Sequence, residues 1–286
     1  EWVNAVVQGT LLGGLYALFA AGLSLIFGVM RLVNIAHGDL IVLAAFLGLT
    51  VATALGLYPL VALLVVVPAM AGIGYVLQRG ILNWTLGDDI LPPLLVTFGL
   101  SVIIQNALLE VYSADPQKLN AGALEVASVE VGGLALGLLP LLMFATAVAV
   151  IALLQMVFYR TPLGRAFRAV SDNQDIAQLM GLNRRHVFGL AMALSLAVTA
   201  VAGIFLGIRT SFDPATGPAR LIFGFEAVII GGLGNLWGTL AGGVILGVAQ
   251  AVGAQINPGW QLLAGHIAFL VILAVRPRGL FPRVEG

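Results

Sequence analysis

Apolar residues run in long blocks along this chain, divided by short polar islands. The stretches 2–30, 40–78, 90–109, 131–159, 186–208 and 227–275 hold no Asp, Glu, Lys or Arg. A helix crossing a bilayer needs about 20 apolar residues, within about 17–25. The stretch 40–78 is twice that and breaks at Leu57-Tyr58-Pro59, which predicts a helical hairpin. The stretches 2–30, 90–109, 131–159 and 186–208 predict one span each, giving six helices before residue 210. None shows the period-2 alternation of outer-membrane strands, so the spans are helices rather than a barrel.

Lys and Arg collect on the cytoplasmic side of such proteins. The connection from Arg160 to His186 holds Arg160, Arg165, Arg168, Arg184 and Arg185, and the tail holds Arg276, Arg278 and Arg283. Both are expected to be cytoplasmic. Counting spans back from the central connection puts Arg31 and Arg79 inside and the N-terminus outside. It also puts residues 112–130 outside, where Lys118 stands among Asp115, Glu125 and Glu130. Residues 210–220 are then outside and the tail inside, so an odd number of crossings fits between them. Gly231-Gly232-Leu233-Gly234-Asn235 interrupts that region with helix-weakening residues. The expectation is a pair of short, broken helices and then a full span near Trp260–Val275. Broken helices of this kind line transport pathways. The fold class is an all-α polytopic membrane protein with about eight membrane segments, including a Gly-interrupted pair in the C-terminal third, all in one transmembrane domain over 1–286.

Composition excludes the soluble alternatives. Of 286 residues 60% are hydrophobic and only 9% charged, against about 25% charged in soluble domains. A formal net charge of zero offers no basic field for nucleic acid. The absence of cysteine removes disulfides, thiol nucleophiles and cysteine metal ligands. The first apolar run outlasts the 7–15 residues of a signal-peptide core, so it reads as a real span. A start at Glu1 rather than Met suggests a trimmed or processed N-terminus.

The central connection reads as an amphipathic handle. Thr161 suits an N-cap and Pro162 the first helical position, with a helix running to about Met180 and Gly181 free to cap its end. Leu163, Phe167, Val170 and Gln174 fall near one face, and Ile176, Leu179 and Met180 extend it. Arg165, Arg168, Asp172 and Asp175 decorate the remainder. Pattern alone leaves two readings open: a helix lying among headgroups, or one seated in a groove of a cytoplasmic partner.

The segment Gly22-Leu-Ser-Leu-Ile-Phe-Gly-Val-Met-Arg-Leu-Val-Asn-Ile-Ala-His-Gly-Asp39 resembles the signature of LivH-type permeases, membrane subunits of branched-chain amino acid ABC importers. Thr97-Phe-Gly-Leu-Ser-Val-Ile-Ile-Gln-Asn106, Phe223-Gly-Phe-Glu-Ala-Val-Ile-Ile-Gly-Gly-Leu-Gly-Asn-Leu-Trp-Gly-Thr239 and Arg276-Pro-Arg-Gly-Leu-Phe-Pro-Arg283 match the same family. The resemblance runs nearly end to end. It implies a permease domain in a bacterial inner membrane, a second, LivM-type permease, two ABC ATPases and a periplasmic substrate-binding protein. In such systems a cytoplasmic loop with Ala, Asp and a trailing Gly receives the ATPase, and Arg168–Gly181 is similar to it. That assigns coupling roles to Arg165, Arg168, Asp172, Asp175 and Gly181 in a loop of about 160–186, opposite a periplasmic loop of about 112–131. The implied cargo is branched-chain or other neutral amino acids; related systems also move urea, short amides and aromatic acids.

Ionisable groups inside spans are costly and are functional candidates by default. Glu226 either faces the pathway and meets a substrate ammonium, or pairs with Arg220 and pins the loop. Asn34, His37 and Asp39 either shape a gate or do turn and cap work, Asn34 ending one helix and Asp39 capping the next. Thr97, Ser101 and Gln105 share one helix face, as do Ser195, Thr199, Gly203 and Gly207. Both stripes serve either close packing or pathway lining. Gly234, Gly238, Gly242, Gly243 and Gly247 read as packing glycines, within the chain or against the partner permease.

Enzyme chemistry finds no support. His37, His186 and His266 lack metal-ligand spacing, Ser24 has no Gly-x-Ser-x-Gly turn, and no phosphate-binding Gly-x-x-x-x-Gly-Lys-Ser/Thr loop occurs. No cofactor or metal is expected, and any ATP must be hydrolysed by another subunit. The rival reading is a self-sufficient carrier or channel built on Glu226 and the broken helices.

Overall fold

The computed structural model describes residues 1–87 and 89–282; Arg283 lies outside them. The elements are α1 (Trp2–Met30), α2 (His37–Leu55), α3 (Pro59–Gly80), α4 (Leu91–Tyr112), α5 (Ala123–Val126), β1 (Ser128–Val131), β2 (Leu134–Gly137), α6 (Leu138–Arg160), α7 (Pro162–Asp172), α8 (Gln174–Leu179), α9 (Arg184–Arg209), α10 (Gly217–Gly231), α11 (Leu236–Ile256) and α12 (Gln261–Val275). Among the described residues, 8 helices are long and apolar enough to cross a membrane. They are α1, α2, α3, α4, α6, α9, α11, and α12 with the 3-10 turn before it. The Gly-rich stretch lies between α10 and α11, which are not the two short helices expected. α10 has 15 residues, whereas α11 has 21, enough for a span.

Small residues decide who packs on whom. α1 and α11 run antiparallel with backbone against backbone. A Cβ on Gly9 would lie 2.6 Å from Val248 Cα, and one on Gly243 2.6 Å from the Gly13 carbonyl. Such approach is how helices associate where no hydrophobic effect separates side chain from lipid. Gly238 and Gly242 face the other way, against Gly231 and Ala227 of α10. A Cβ on Gly247 would likewise lie 2.2 Å from the Gly9 carbonyl, so Gly238, Gly242, Gly243 and Gly247 are all occupied inside the chain, while Gly234 holds φ +79 in the turn between the two helices. α9 threads the centre. Its Ser195 hydroxyl donates to the Gly22 carbonyl of α1 (3.0 Å), and Gly203 abuts Ile41 and Ala44 of α2. The Ser195–Gly207 stripe thus faces the core. α4 and α12 lie outermost, α12 burying only Gly265.

One connection departs from expectation. α1 ends at Met30 with Arg31 in the left-handed region (φ 53), and residues 31–36 then return along α1 rather than turn at its end. His37 Nε2 meets the Phe19 carbonyl at 2.9 Å. Phe19 lies three helical turns before Met30, so the segment climbs about 16 Å at 1.5 Å per residue. α2 therefore begins deep in the bundle. Asn34 does not end α1, whose C-cap is Arg31, and the residue before α2 is Ala36, with no side-chain cap; Asp39 stands in the first turn of α2 as expected but also binds α4.

At the end where α4 stops, residues 113–137 form a folded loop. β1 and β2 pair antiparallel, Ser128 opposite Gly137. Gln117 and Phe212 exchange backbone hydrogen bonds, and the Tyr58 hydroxyl donates to the Ala121 carbonyl (2.8 Å). Lys118 pairs with Glu125, which also accepts from the Ala121 amide (2.8 Å). Lys118 first, and that amide second, hold the Glu125 carboxyl below its usual range. A depressed carboxylate stabilises the loop above its unfolded pKa, and the contribution is lost as pH falls through the folded value. Lys118→Gln should therefore move the acid-induced opening of this loop to higher pH, by a small amount because the pair is exposed. Limited proteolysis between pH 3 and 6 measures it; an unmoved midpoint removes the pair from the account.

Candidate functional site

Asp39 is the first junction. In the first turn of α2, its carboxylate accepts from the Ser101 hydroxyl (2.5 Å) and the Gln105 amide (2.9 Å) of α4, and Gln105 also donates to Ser101 (3.2 Å). One turn earlier, Thr97 Oγ1 accepts from the Ile35 amide (3.3 Å). The stripe foreseen on α4 is thus a hydrogen-bonding rail for α2 and the climbing segment. Asn34 turns that segment by accepting from the Ala36 amide (3.0 Å). Gly217, the first residue of α10, sits directly on Asp39 with no room for a Cβ. Asn34, His37, Asp39, Thr97 and Ser101 are buried, and Gln105 is half-buried.

Glu226 stands apart from that junction. It is buried on α10, and its Oε1 is hydrogen-bonded by His266 Nδ1 of α12; the pairing with Arg220 does not form. The ring of Phe223 stacks on His266 (6.4 Å, 13°) and also meets Tyr16 of α1 (5.2 Å). The Tyr16 hydroxyl donates to Gln250 Oε1 of α11 at 2.5 Å. Arg209, Arg220 and Glu226 all lie within electrostatic reach of that hydroxyl. Tyr16 and Gln250 thus join α1 to α11, Glu226 and His266 join α10 to α12, and Phe223 touches both pairs. Of these groups Glu226 was singled out from the sequence, with Arg220 as its expected partner. Gln250 and His266 were legible as polar interruptions of the charge-free stretch 227–275, whereas Tyr16 carried no signal.

The handle is two helices rather than one. The Thr161 hydroxyl accepts from the Gly164 amide (3.1 Å), the N-cap expected. α7 then stops at Asp172, and Asn173, extended at φ −153, accepts from the amides of Asp175 and Ile176 to start α8. A short amide side chain competes with helical hydrogen bonding where a capping geometry is open to it. The break rotates α8, so Ala177 is buried while Ile176, Leu179 and Met180 are 58%, 87% and 79% exposed. They do not continue the apolar face of Phe167 and Val170 as expected. Gly181 takes φ +88, with Leu182 N–H on the Ala177 carbonyl and Gly181 N–H on that of Gln178, a complete Schellman motif. Arg165, Asp172 and Asp175 are exposed. Arg168 instead donates to the Phe158 carbonyl at the end of α6 and lies over Tyr159 (5.1 Å), so it secures the handle to the bundle.

The model of the family described as branched-chain amino acid transport system / permease component matches residues 5–275. The high-affinity branched-chain amino acid transport system permease protein BraD of Pseudomonas aeruginosa is 28% identical, the alignment covering 100% of this chain and 97% of that protein. LivH of Salmonella typhimurium is 26% identical over 99% of this chain and 96% of its own length. LivM of Escherichia coli is 28% identical over 43% of this chain and 29% of that protein.

Proposed function

Because the chain belongs to the family of branched-chain amino acid transport system permease components, we propose that it is one membrane half of an ABC importer in a bacterial inner membrane. A LivM-type permease forms the other half, two ATPases supply the energy, and a periplasmic binding protein delivers branched-chain or other neutral amino acids. The N-terminus is periplasmic and the C-terminus cytoplasmic. Arg31, Arg79, Arg160, Arg165, Arg184 and Arg185 gather at the handle end of the bundle and support that orientation.

The observation that carries the reading is the exposed apolar tip of Ile176, Leu179 and Met180, which follows the exposed Asp172 and Asp175. Three exposed apolar side chains presented together suit a groove on a soluble partner. Behind the tip, Ser171 donates to the Gly28 carbonyl of α1 (2.8 Å) and Arg168 holds the end of α6. Closure of the ATPases would press the handle, and these two links would pass the movement to α1 and α6. Asn34, His37, Asp39, Thr97, Ser101 and Gln105 form the joint at which α2 and α4 move as one body, and Glu226 belongs to the pathway.

Leu179→Asp tests this in the purified complex. ATPase stimulation by a leucine-loaded binding protein should fall at least about tenfold, as for a central interface residue, while the thermal stability of the permease holds. Gly181→Val, strained at φ +88, should uncouple hydrolysis from uptake. Full stimulation in Leu179→Asp would remove the docking role, and uptake by the chain without any ATPase would favour a self-sufficient carrier.

A further inference from the structure

Where α3 ends and α9 begins, a chain of polar contacts leaves positive charge at the edge of an apolar surface. Arg79 donates to the Tyr75 hydroxyl (3.0 Å), and that hydroxyl lies 2.7 Å from His186 Nδ1. A guanidinium can only donate, so the Tyr75 oxygen accepts from it and gives its own proton to Nδ1. The imidazole proton is then on Nε2. Gln78 donates to the Asn83 side-chain oxygen (2.9 Å), and Asn83 in turn donates to the Arg185 carbonyl (3.1 Å). The Arg185 guanidinium lies over the ring of Trp84 (4.8 Å). Arg79, Trp84, Arg185 and His186 are all exposed. Among the described residues neither Arg79 nor Arg185 forms an ion pair. Asp89, farther along the connection from α3 to α4, accepts instead from the Leu91 amide (3.0 Å).

Exposed hydrocarbon runs straight into these cations. Val76 stands one turn before Arg79 on the same face of α3 and is exposed, and nothing lies within 4 Å of a Cβ at Gly72, one turn further back. Ile81 and Trp84, exposed as well, carry the apolar surface past the end of α3. A soluble anion would match the guanidiniums and leave the hydrocarbon bare. A molecule with an acyl chain and an anionic head matches both. We infer that this corner of α3 and α9 is a binding site for an anionic phospholipid. Its phosphodiester accepts from Arg79, Arg185 and the His186 Nε2–H, and one acyl chain lies along Val76 and Gly72. A zwitterionic lipid brings an ammonium to the same two guanidiniums and is disfavoured. Arg184, next to Arg185, donates to Gln174 of α8 (2.8 Å), so a bound lipid steadies the turn of α9 to which the handle is tied.

The test titrates phosphatidylglycerol and phosphatidylcholine of matched chains into the purified, delipidated transporter and counts bound lipids by native mass spectrometry. The unmutated transporter should hold one phosphatidylglycerol at least about tenfold more tightly than phosphatidylcholine. Arg79→Gln and Arg185→Gln should each raise the phosphatidylglycerol Kd about fivefold, and together at least about tenfold, with phosphatidylcholine unmoved. Arg185→Lys keeps the charge and should bind more tightly than Arg185→Gln. Tyr75→Phe keeps the ring against Gly189 but breaks the relay, and should weaken phosphatidylglycerol alone. Both arginines are exposed, so the thermal stability of the lipid-free transporter should hold in every variant. Equal Kd values for the two lipids in the unmutated transporter, or an unchanged phosphatidylglycerol Kd in both single arginine variants, would overturn the inference. Loss of other subunits from the double variant with phosphatidylglycerol binding retained would also overturn it, and would give this face to a protein partner.

Discussion

Gly13→Leu should leave almost no folded protein. A Cβ there would stand 2.6 Å from the Gly243 carbonyl and 2.7 Å from the Val244 amide nitrogen, closer still to Val244 Cα. All three are backbone atoms and cannot rotate away. α11 cannot retreat either, because its opposite face holds Gly238 and Gly242 against α10. Overpacking among side chains costs about 1–3 kcal/mol; here the two helices must separate, which takes the Tyr16–Gln250 hydrogen bond with them. We expect the yield of monodisperse complex to fall at least about tenfold, an effect of 1.4 kcal/mol or more. Gly72→Leu is the internal control, since nothing lies within 4 Å of its Cβ position, and its yield should match the unmutated protein. Equal yields from both variants would mean that α1 and α11 are not held by their glycines.

What was legible in the sequence was what depends on neighbours along the chain. Charge-free length marked the spans, Thr161 and Gly181 marked a cap and a Schellman turn, and Gly231, Gly232 and Gly234 marked the break before α11. These are local rules and need no knowledge of tertiary packing. The four-residue recurrence of Thr97, Ser101 and Gln105 told which face they share but not what they meet, since Asp39 lies 62 positions from Ser101. The climb of residues 31–36 was hidden for the same reason. Asn34 and Asp39 carry strong local preferences for turns and caps, and only the contact of His37 with Phe19 reveals that α2 starts beside the middle of α1. Within the handle, Asp172 and Asn173 were each readable as capping residues, yet the apolar spacing of Ile176, Leu179 and Met180 pointed to a continuous helix. Glu226 was found because a charge in a span is conspicuous. His266, Gln250 and Tyr16 gained partners only once the helices were assembled around them, and Glu226 pairs with His266 rather than with the expected Arg220.

Asp39→Leu should release α4 from the bundle and stop transport. α4 meets the chain along one stripe, with Pro93, Thr97, Ser101, Ile104 and Leu108 its buried residues. Asp39 supplies the polar half of that contact. Its loss strands the buried Ser101 hydroxyl, at about 1–3 kcal/mol, and leaves the Gln105 amide with Ser101 as its one remaining acceptor. It also removes the side chain on which Gly217 rests, so the start of α10 loses its seat, and α10 carries Arg220, Phe223 and Glu226. A cysteine-free chain allows a direct reading. Spin labels at Leu55 on α2 and Ile103 on α4, both exposed, should give one narrow distance distribution in the parent protein and a broad one in Asp39→Leu, with leucine uptake down at least about tenfold. Asp39→Asn keeps an oxygen for one of the two donors and should retain the narrow distribution with intermediate uptake. If Asp39→Leu stays narrow and transports normally, apolar packing alone fixes α4. If it broadens and still transports, α4 is not needed to hold α10, and the mechanical link from the handle to the Glu226 cluster must then run through α1, by way of Ser171, Gly28 and Tyr16.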